Sequence, residues 1–269
     1  MNALEKIVLE KRKQVLEEKQ LFPVELLERS IYFKNVCVSL KKYLLREDKN
    51  GIIAEIKKKS PALGAINPYV KVEKLSIGYM QAGASALSVL TDKKFFGGSN
   101  ADLTTARKYN FCPILRKDFV IDGYQVIEAR SIGADAVLLI AAILTMQEIE
   151  QFTDLAHIHG MEVILELHAE DELEKVYDKV DVIGVNNRNL ETMQVDIATS
   201  KAMAKLIPAE FLKISESGIE DPRIVLELRQ LGYNGFLIGS CFMKHPEPEK
   251  ACAAFIQQLN KLKKETYGA

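Results

Sequence analysis

The chain has 269 residues, of which 48% are hydrophobic and 27% charged, and its formal net charge is −1. This balance is typical of a folded globular protein and argues against intrinsic disorder. The small net charge argues against a bulk field that would attract nucleic acid or an anionic membrane, and no apolar run reaches the ~18–20 residues of a membrane span.

The N-terminal segment and the cysteines indicate the compartment. Charged residues interrupt the first twenty positions every few residues, so no secretory signal is predicted. The cysteines are scattered without a C-x-x-C pair, which suggests a reducing compartment; they are Cys37, Cys112, Cys241 and Cys252. We therefore expect a cytoplasmic protein that binds neither nucleic acid nor membrane.

The chain begins with predicted helices. Leu4, Ile7, Val8 and Val15 recur at roughly helical spacing among Glu and Lys residues, which predicts an amphipathic helix. A second short helix is predicted around positions 23–31, because Pro23 suits a first helical turn.

Eight short apolar, β-branched runs follow, and each predicts a strand. They span 51–57, 84–91, 111–117, 134–140, 161–167, 180–186, 211–217 and 234–240. Amphipathic segments at 70–83, 123–133, 145–160 and 221–232 predict helices between them, each ending in a glycine suited to a left-handed C-terminal residue.

Strands that alternate with helices predict parallel pairing, and eight such units predict an α/β fold of the (βα)8 TIM-barrel class. A doubly wound open sheet is the alternative. That sheet usually has a G-x-G-x-x-G turn after its first strand, and the "KKKSPALGAINP" that follows strand 1 does not match.

Polar residues stand at the ends of these strands, where a barrel builds its site. Alternation along strand 1 places Ile52, Ala54 and Ile56 on the helical side, so Glu55 and Lys57 should face the barrel mouth. Lys117 and Glu166 are expected to face the mouth by the same argument. Charges in such a partly dry mouth are costly unless paired, and pairing shifts their pKa values in ways that suit general acid/base chemistry on a small carbonyl or hydroxyl substrate.

The last two strands end in "SESG" and "LIGS", where exposed backbone N–H groups suit a phosphate. A phosphorylated small-molecule substrate is therefore predicted.

Seven motifs in order, "IIAEIKKKSP", "LTDKKFFGGS", "PILRKDF", "ADAVLLI", "VNNRNL", "SESGI" and "FLIGS", make the chain resemble indole-3-glycerol-phosphate synthases of tryptophan biosynthesis. The resemblance implies one barrel domain over 1–269, with residues 1–48 as a helical extension that caps the site. It implies ring closure of 1-(2-carboxyphenylamino)-1-deoxyribulose 5-phosphate to indole-3-glycerol phosphate, with loss of CO2 and water and without metal or organic cofactor. We further expect a monomer or a weak homodimer.

The resemblance also implies roles for individual residues. Lys117 matches the general acid that protonates the ketone oxygen, and Glu166 matches a carboxylate that assists it. Glu55 and Lys57 match an acid/base pair for the loss of hydroxide. The catalytic set is Lys117, Glu166, Glu55, Lys57 and Asn186, and the substrate-binding set is Ser60, Phe96, Leu138, Arg188, Glu216, Ser217, Gly218, Gly239 and Ser240.

Structural interpretations remain open for single motifs. The Glu55–Lys57 and Lys117–Asp118 pairs could be salt bridges only, and the two Gly-Ser motifs could be turn chemistry. Lys58 is expected to be solvated, and Lys59 is kept as a potential phosphate contact. The competing functions are a phosphoribosylanthranilate isomerase-like barrel, a Schiff-base aldolase with Lys117 as nucleophile, and a non-catalytic barrel that binds a phosphometabolite.

Overall fold

Eight parallel strands close into a barrel in the computed structural model, which describes residues 3–190 and 192–268. The strands are β1 (Ile52–Ile56), β2 (Ala86–Leu90), β3 (Ile114–Lys117), β4 (Ala136–Ile140), β5 (Glu162–Leu167), β6 (Val182–Asn186), β7 (Leu212–Glu216) and β8 (Gly235–Ile238). Each strand pairs with its neighbours in sequence, and β1 closes the ring against β8. The prediction of eight strands in a TIM barrel is confirmed, and the open sheet is excluded.

Helices surround this barrel and precede it. They are α1 (Ala3–Leu21), α2 (Val24–Leu27), α3 (Leu40–Leu44), α4 (Val72–Gln81), α5 (Lys93–Phe96), α6 (Asn100–Tyr109), α7 (Gly123–Ser131), α8 (Met146–Ile158), α9 (Ala198–Met203), α10 (Pro222–Gln230), α11 (Ser240–Met243) and α12 (Pro248–Tyr267). Short 3-10 helices cover Ala141–Ile143 and Glu170–Lys175, and a two-stranded hairpin joins Lys59–Ser60 to Gly64–Ala65. The connection from β5 to β6 therefore contains a 3-10 helix in place of a long α-helix.

The two faces of β1 belong to different layers of the core. Ile52, Ala54 and Ile56 pack in the apolar layer between barrel and helices. Ile53 packs inside the barrel in a cluster that includes Leu115. Because side chains alternate along a strand, Glu55 must point inward as Ile53 does, which confirms the predicted facing.

The N-terminal helices pack against both ends of the barrel. Leu40 and Leu44 of α3 are buried in the inner cluster, and Glu162 at the start of β5 accepts hydrogen bonds from Ser39 Oγ and Lys41 N at 2.5 and 2.9 Å. α1 lies at the opposite end, where Ile7 joins the same inner cluster. Burial of each such apolar side chain contributes roughly 1.5–3 kcal/mol, which holds both helices on the barrel.

Within the described residues, no helix is both long and apolar enough to cross a membrane. The four cysteines are free thiols.

Candidate active site

A cavity of about 500 Å³ opens at the C-terminal ends of the strands. Every site residue predicted from the sequence borders it: Glu55, Lys57, Ser60, Phe96, Lys117, Leu138, Glu166, Asn186, Arg188, Glu216, Ser217, Gly218, Gly239 and Ser240. The fold brings them together because parallel strands in a barrel deliver all their C-terminal ends to one mouth.

Lys117, the last residue of β3, is at the centre of the charges. Its Nζ lies 2.6 Å from Glu166 Oε2 and 3.3 Å from Glu216 Oε2. Burial alone would lower the pKa of Lys117, but the charges of Glu166, Glu216 and Glu55 outweigh it and raise the pKa. Lys117 is therefore a charged ammonium in the free protein.

Glu166 on β5 has contacts with both carboxylate oxygens. Oε2 accepts a hydrogen bond from Lys117, while Oε1 accepts one from Asn186 Nδ2 at 3.2 Å and lies 3.1 Å from His168 Nε2. Burial acts to raise the pKa of Glu166, but Lys117 and His168 hold it well below its ordinary value. Glu166 is thus an ionised, oriented carboxylate.

Glu216 at the end of β7 has a different environment. Its side chain is 2% exposed, and Oε1 has no hydrogen-bond partner. Burial raises the pKa of Glu216 to about 8; the nearby Glu166 carboxylate acts in the same direction, and together they outweigh the lowering effect of Lys117. Two neighbouring carboxyl groups therefore differ in protonation, an arrangement that suits acid/base chemistry.

Glu55 and Lys57 form a second ion pair, with Lys57 Nζ 2.6 Å from Glu55 Oε1. Gly239 on the adjacent loop approaches the carboxyl so closely that a Cβ there would collide with Glu55 Oε1. Glycine is therefore required at 239 for Glu55 to keep this position.

The loop after β6 is held in place by hydrogen bonds of Asn187, which does not border the cavity. Its Nδ2 donates to the carbonyl oxygens of Glu216 and Ser217 and to Ser215 Oγ, at 2.9–3.0 Å. Arg188 N in turn donates to Asn186 Oδ1 at 2.9 Å. Ser215 thus accepts a buried hydrogen bond from Asn187.

The predicted phosphate end has the required local geometry. Gly218 has φ +76°, and Ser217 also has positive φ, so the backbone after β7 turns sharply. Ser240 begins α11 directly after Gly239. Ser60 Oγ accepts a hydrogen bond from Leu63 N at 3.1 Å, which leaves its hydroxyl hydrogen free to donate to a ligand.

The apolar wall is larger than the sequence predicted. Phe96 packs on Phe119 with ring centroids 5.9 Å apart. Leu4 and Ile7 of α1 complete the wall together with Leu138. The sequence predicted the apolar face of α1, but it did not predict that this face borders the cavity.

Three further interpretations from the sequence are settled by contacts. Lys58 is not simply solvated: its side chain is 20% exposed, and its Nζ forms an ion pair at 2.8 Å from both carboxylate oxygens of Asp102. Lys59 Nζ donates to the carbonyl of Lys94 and does not border the cavity. Asp118 is not the partner of Lys117, since its carboxylate pairs with Lys11 at 2.8 Å.

His168 was missed as part of this arrangement. A period-2 continuation of β5 from Ile164 through Glu166 reaches His168, so alternation was the signal that could have found it.

In residues 3–190 and 192–268, no group of three or more His, Cys, Asp or Glu side chains is arranged to hold a metal ion.

Comparisons with known proteins show which family the sequence matches. The family model described as indole-3-glycerol phosphate synthase matches residues 4–255. A Bacteroides thetaiotaomicron protein named indole-3-glycerol phosphate synthase is 44% identical over 256 residues, which cover 95% of this chain and 98% of the relative. A protein of the same name from Dechloromonas aromatica is 39% identical over 249 residues, covering 91% and 95%.

Solved structures agree on the fold alone. The tryptophan synthase alpha subunit from Legionella pneumophila superimposes with a TM-score of 0.60 at 13% identity, covering 82% of this chain and 97% of that chain.

Proposed function

This chain belongs to the indole-3-glycerol phosphate synthase family, and from this premise we propose that the charged cavity at its barrel mouth carries out the family's reaction. The enzyme is a carboxy-lyase of tryptophan biosynthesis that acts on a phosphorylated small molecule. The observation that carries the proposal is the Lys117 ammonium between two carboxyl groups, with the Glu55–Lys57 pair in the same cavity.

Ring closure is the step assigned to Lys117. The aryl carbon that bears the carboxylate attacks the ketone carbon, and the carbonyl electron pair moves to oxygen, which takes a proton from Nζ. An ammonium 2.6 Å from Glu166 is a poor acid in the free protein, so transfer depends on the basicity that the ketone oxygen gains as it becomes an alkoxide. Until then the fixed positive charge stabilises the developing oxyanion.

Loss of CO2 restores the aromatic ring without further help from the protein. Dehydration then requires a proton to leave carbon and another to reach the departing oxygen. We assign these two transfers to Glu55 and Lys57, which are 2.6 Å apart and border the same cavity.

The rest of the cavity is assigned to substrate binding. Backbone N–H groups at Gly218, Gly239 and Ser240, together with the Ser60 hydroxyl, would hold the phosphate. Asn186 and Arg188 would hold the hydroxyls and the carboxylate, because amide and guanidinium groups donate to such oxygens. The anthranilate ring would lie between Phe96 and Leu138.

The extension over residues 1–48 is proposed to act as a cap of a single domain spanning 1–269. Leu4 and Ile7 border the cavity, and water excluded by such side chains would strengthen every charge interaction inside. We further propose a cytoplasmic enzyme that is a monomer or a weak homodimer, which light scattering after size exclusion would test. Four free thiols support the reducing compartment.

The test is to add 1-(2-carboxyphenylamino)-1-deoxyribulose 5-phosphate and follow indole fluorescence. The chain contains no tryptophan, so product emission rises over a background of tyrosine alone. Formation of indole-3-glycerol phosphate, identified by mass, is expected. Absence of product at every enzyme concentration, or borohydride reduction of substrate onto Lys117, would refute the proposal; the second outcome would instead support a Schiff-base aldolase.

A further inference from the structure

His168 lies behind the cavity and does not border it. Its side chain is 9% exposed, with Nε2 3.1 Å from Glu166 Oε1 and Nδ1 3.7 Å from Glu172 Oε2. Neither ring nitrogen makes a well-aligned hydrogen bond, so these are close charge contacts. Glu172 is itself held in place, because its Oε2 accepts a hydrogen bond from His168 N at 2.6 Å.

The charges around the imidazole alternate in sign. From the cavity outward they run Lys117, Glu166, His168 and Glu172. Burial alone would lower the pKa of His168, but Glu166 and Glu172 raise it to about 9. The other charged groups nearby are occupied elsewhere: Glu216 contacts Lys117, and Lys175 donates to the carbonyls of Ala141 and Leu144.

We propose that His168 is a positioning residue of this reaction, whose imidazolium holds the Glu166 carboxylate in its orientation toward Lys117 and keeps that carboxylate a weak base. Glu166 is the immediate neighbour of the Lys117 ammonium and competes with the ketone oxygen for its proton. A cation on the far oxygen of Glu166 reduces that competition, so the proton stays on Lys117 until substrate takes it. This inference rests on the proposed function, since it concerns how Lys117 delivers its proton.

Two substitutions at His168 distinguish the effect of its ring nitrogens on Glu166 from the effect of its packing. His168→Leu removes the ring nitrogens but keeps an apolar side chain, and we expect kcat to fall roughly tenfold or more, as for the loss of other supporting groups around a site. KM should stay within about twofold, because His168 does not border the cavity. His168→Gln places an amide donor near the position of Nε2 and should recover part of kcat.

His157 provides a matched control. Its Nε2 lies 2.8 Å from Asp181 Oδ2, so it also forms a histidine–carboxylate pair, but it does not border the cavity and has no contact with Glu166. His157→Leu should leave kcat unchanged. Wild-type kcat in His168→Leu, or equal losses in His168→Leu and His168→Gln, would refute the positioning role.

A measurement on the free protein tests the alternating charges of Lys117, Glu166, His168 and Glu172 without an activity assay. Imidazole NMR should show His168 titrating near pH 9, well above His159, whose pKa is lowered by burial. Glu172→Gln should shift the His168 midpoint downward. A His168 midpoint at or below 6.5 would overturn the inference, even if the enzyme forms indole-3-glycerol phosphate. Conversely, a raised midpoint in a protein without turnover would confirm the charged contact of His168 with Glu166 but refute the proposed function, and with it the positioning role in this reaction.

Discussion

Lys11 Nζ lies 2.8 Å from Asp118 Oδ1, and both side chains are no more than 2% exposed. The same ammonium lies 2.9 Å from Asp92 Oδ2. Asp92 caps the helix that ends at Phe96, and Asp118 directly follows Lys117. One buried lysine of α1 therefore ties the N-terminal extension to two loops that carry site residues.

Lys11→Met should destabilise the protein by about 3–5 kcal/mol, because removal of one partner leaves buried carboxylates without their counter-charge. KM should also rise, since α1 carries Leu4 and Ile7 into the cavity wall. Urea unfolding followed by circular dichroism measures the first effect, and steady-state kinetics the second.

Lys19→Met is the control for this prediction. Lys19 lies on the same helix and pairs with Asp122 at 2.7 Å, but its side chain is 41% exposed. Such a pair contributes at most about 1 kcal/mol. Equal destabilisation by the two substitutions would contradict the special role of the buried ammonium.

Lys117→Ala should lower kcat by roughly 10²–10⁴, the usual contribution of a general acid. The melting temperature at pH 7 should change little, because Glu216, whose pKa is raised to about 8, already holds a proton there, and Glu166 keeps Asn186 and His168 as partners. Assays with indole fluorescence and thermal unfolding check both parts.

Lys213 is a matched lysine on β7. It is 8% exposed and donates to the carbonyl of Ala204 at 3.1 Å, outside the cavity. Lys213→Met should change the free energy of unfolding but leave kcat at the wild-type value. A large fall in the melting temperature of Lys117→Ala with modest loss of turnover would instead favour a structural salt bridge at 117.

Glu216→Gln should stabilise the protein progressively more as pH rises from about 5 to 8. The pKa of Glu216 is raised to about 8 from an ordinary value of 4.5, so in this range the unfolded state releases a proton that the folded state keeps. The contribution of Glu216 to the free energy of unfolding of the wild type therefore falls as pH rises. The neutral amide of Gln does not titrate, so the variant lacks this pH-dependent decrease. Melting temperatures of both proteins across this range provide the test, and a constant difference would contradict the raised pKa.

Gly239→Ala should reduce kcat, because its Cβ would collide with the Glu55 carboxyl group and displace it from Lys57. Gly123→Ala is the control: it begins α7, and its Cβ would meet Leu155 at 3.1 Å outside the cavity. Steady-state kinetics should show wild-type kcat for the control only. Wild-type kcat in Gly239→Ala would indicate that the Glu55 position is not critical.

Local patterns in the sequence determined the barrel and most of the site. Eight β-branched runs separated by amphipathic segments predicted the strands, and alternation along β1 predicted that Glu55 and Lys57 face inward. These inferences succeed because strand period and chain order depend on neighbouring residues only.

Only the tertiary structure decided which charges meet. The partner of Asp118 proved to be Lys11 from a helix over a hundred residues away, and Lys58 pairs with Asp102. The sequence places Glu166 and Glu216 alike at strand ends, yet their pKa shifts are opposite: Lys117 and His168 outweigh the burial of Glu166, whereas burial prevails at Glu216. Such shifts depend on desolvation and on distances of a few ångströms between distant segments, which residue order alone does not contain.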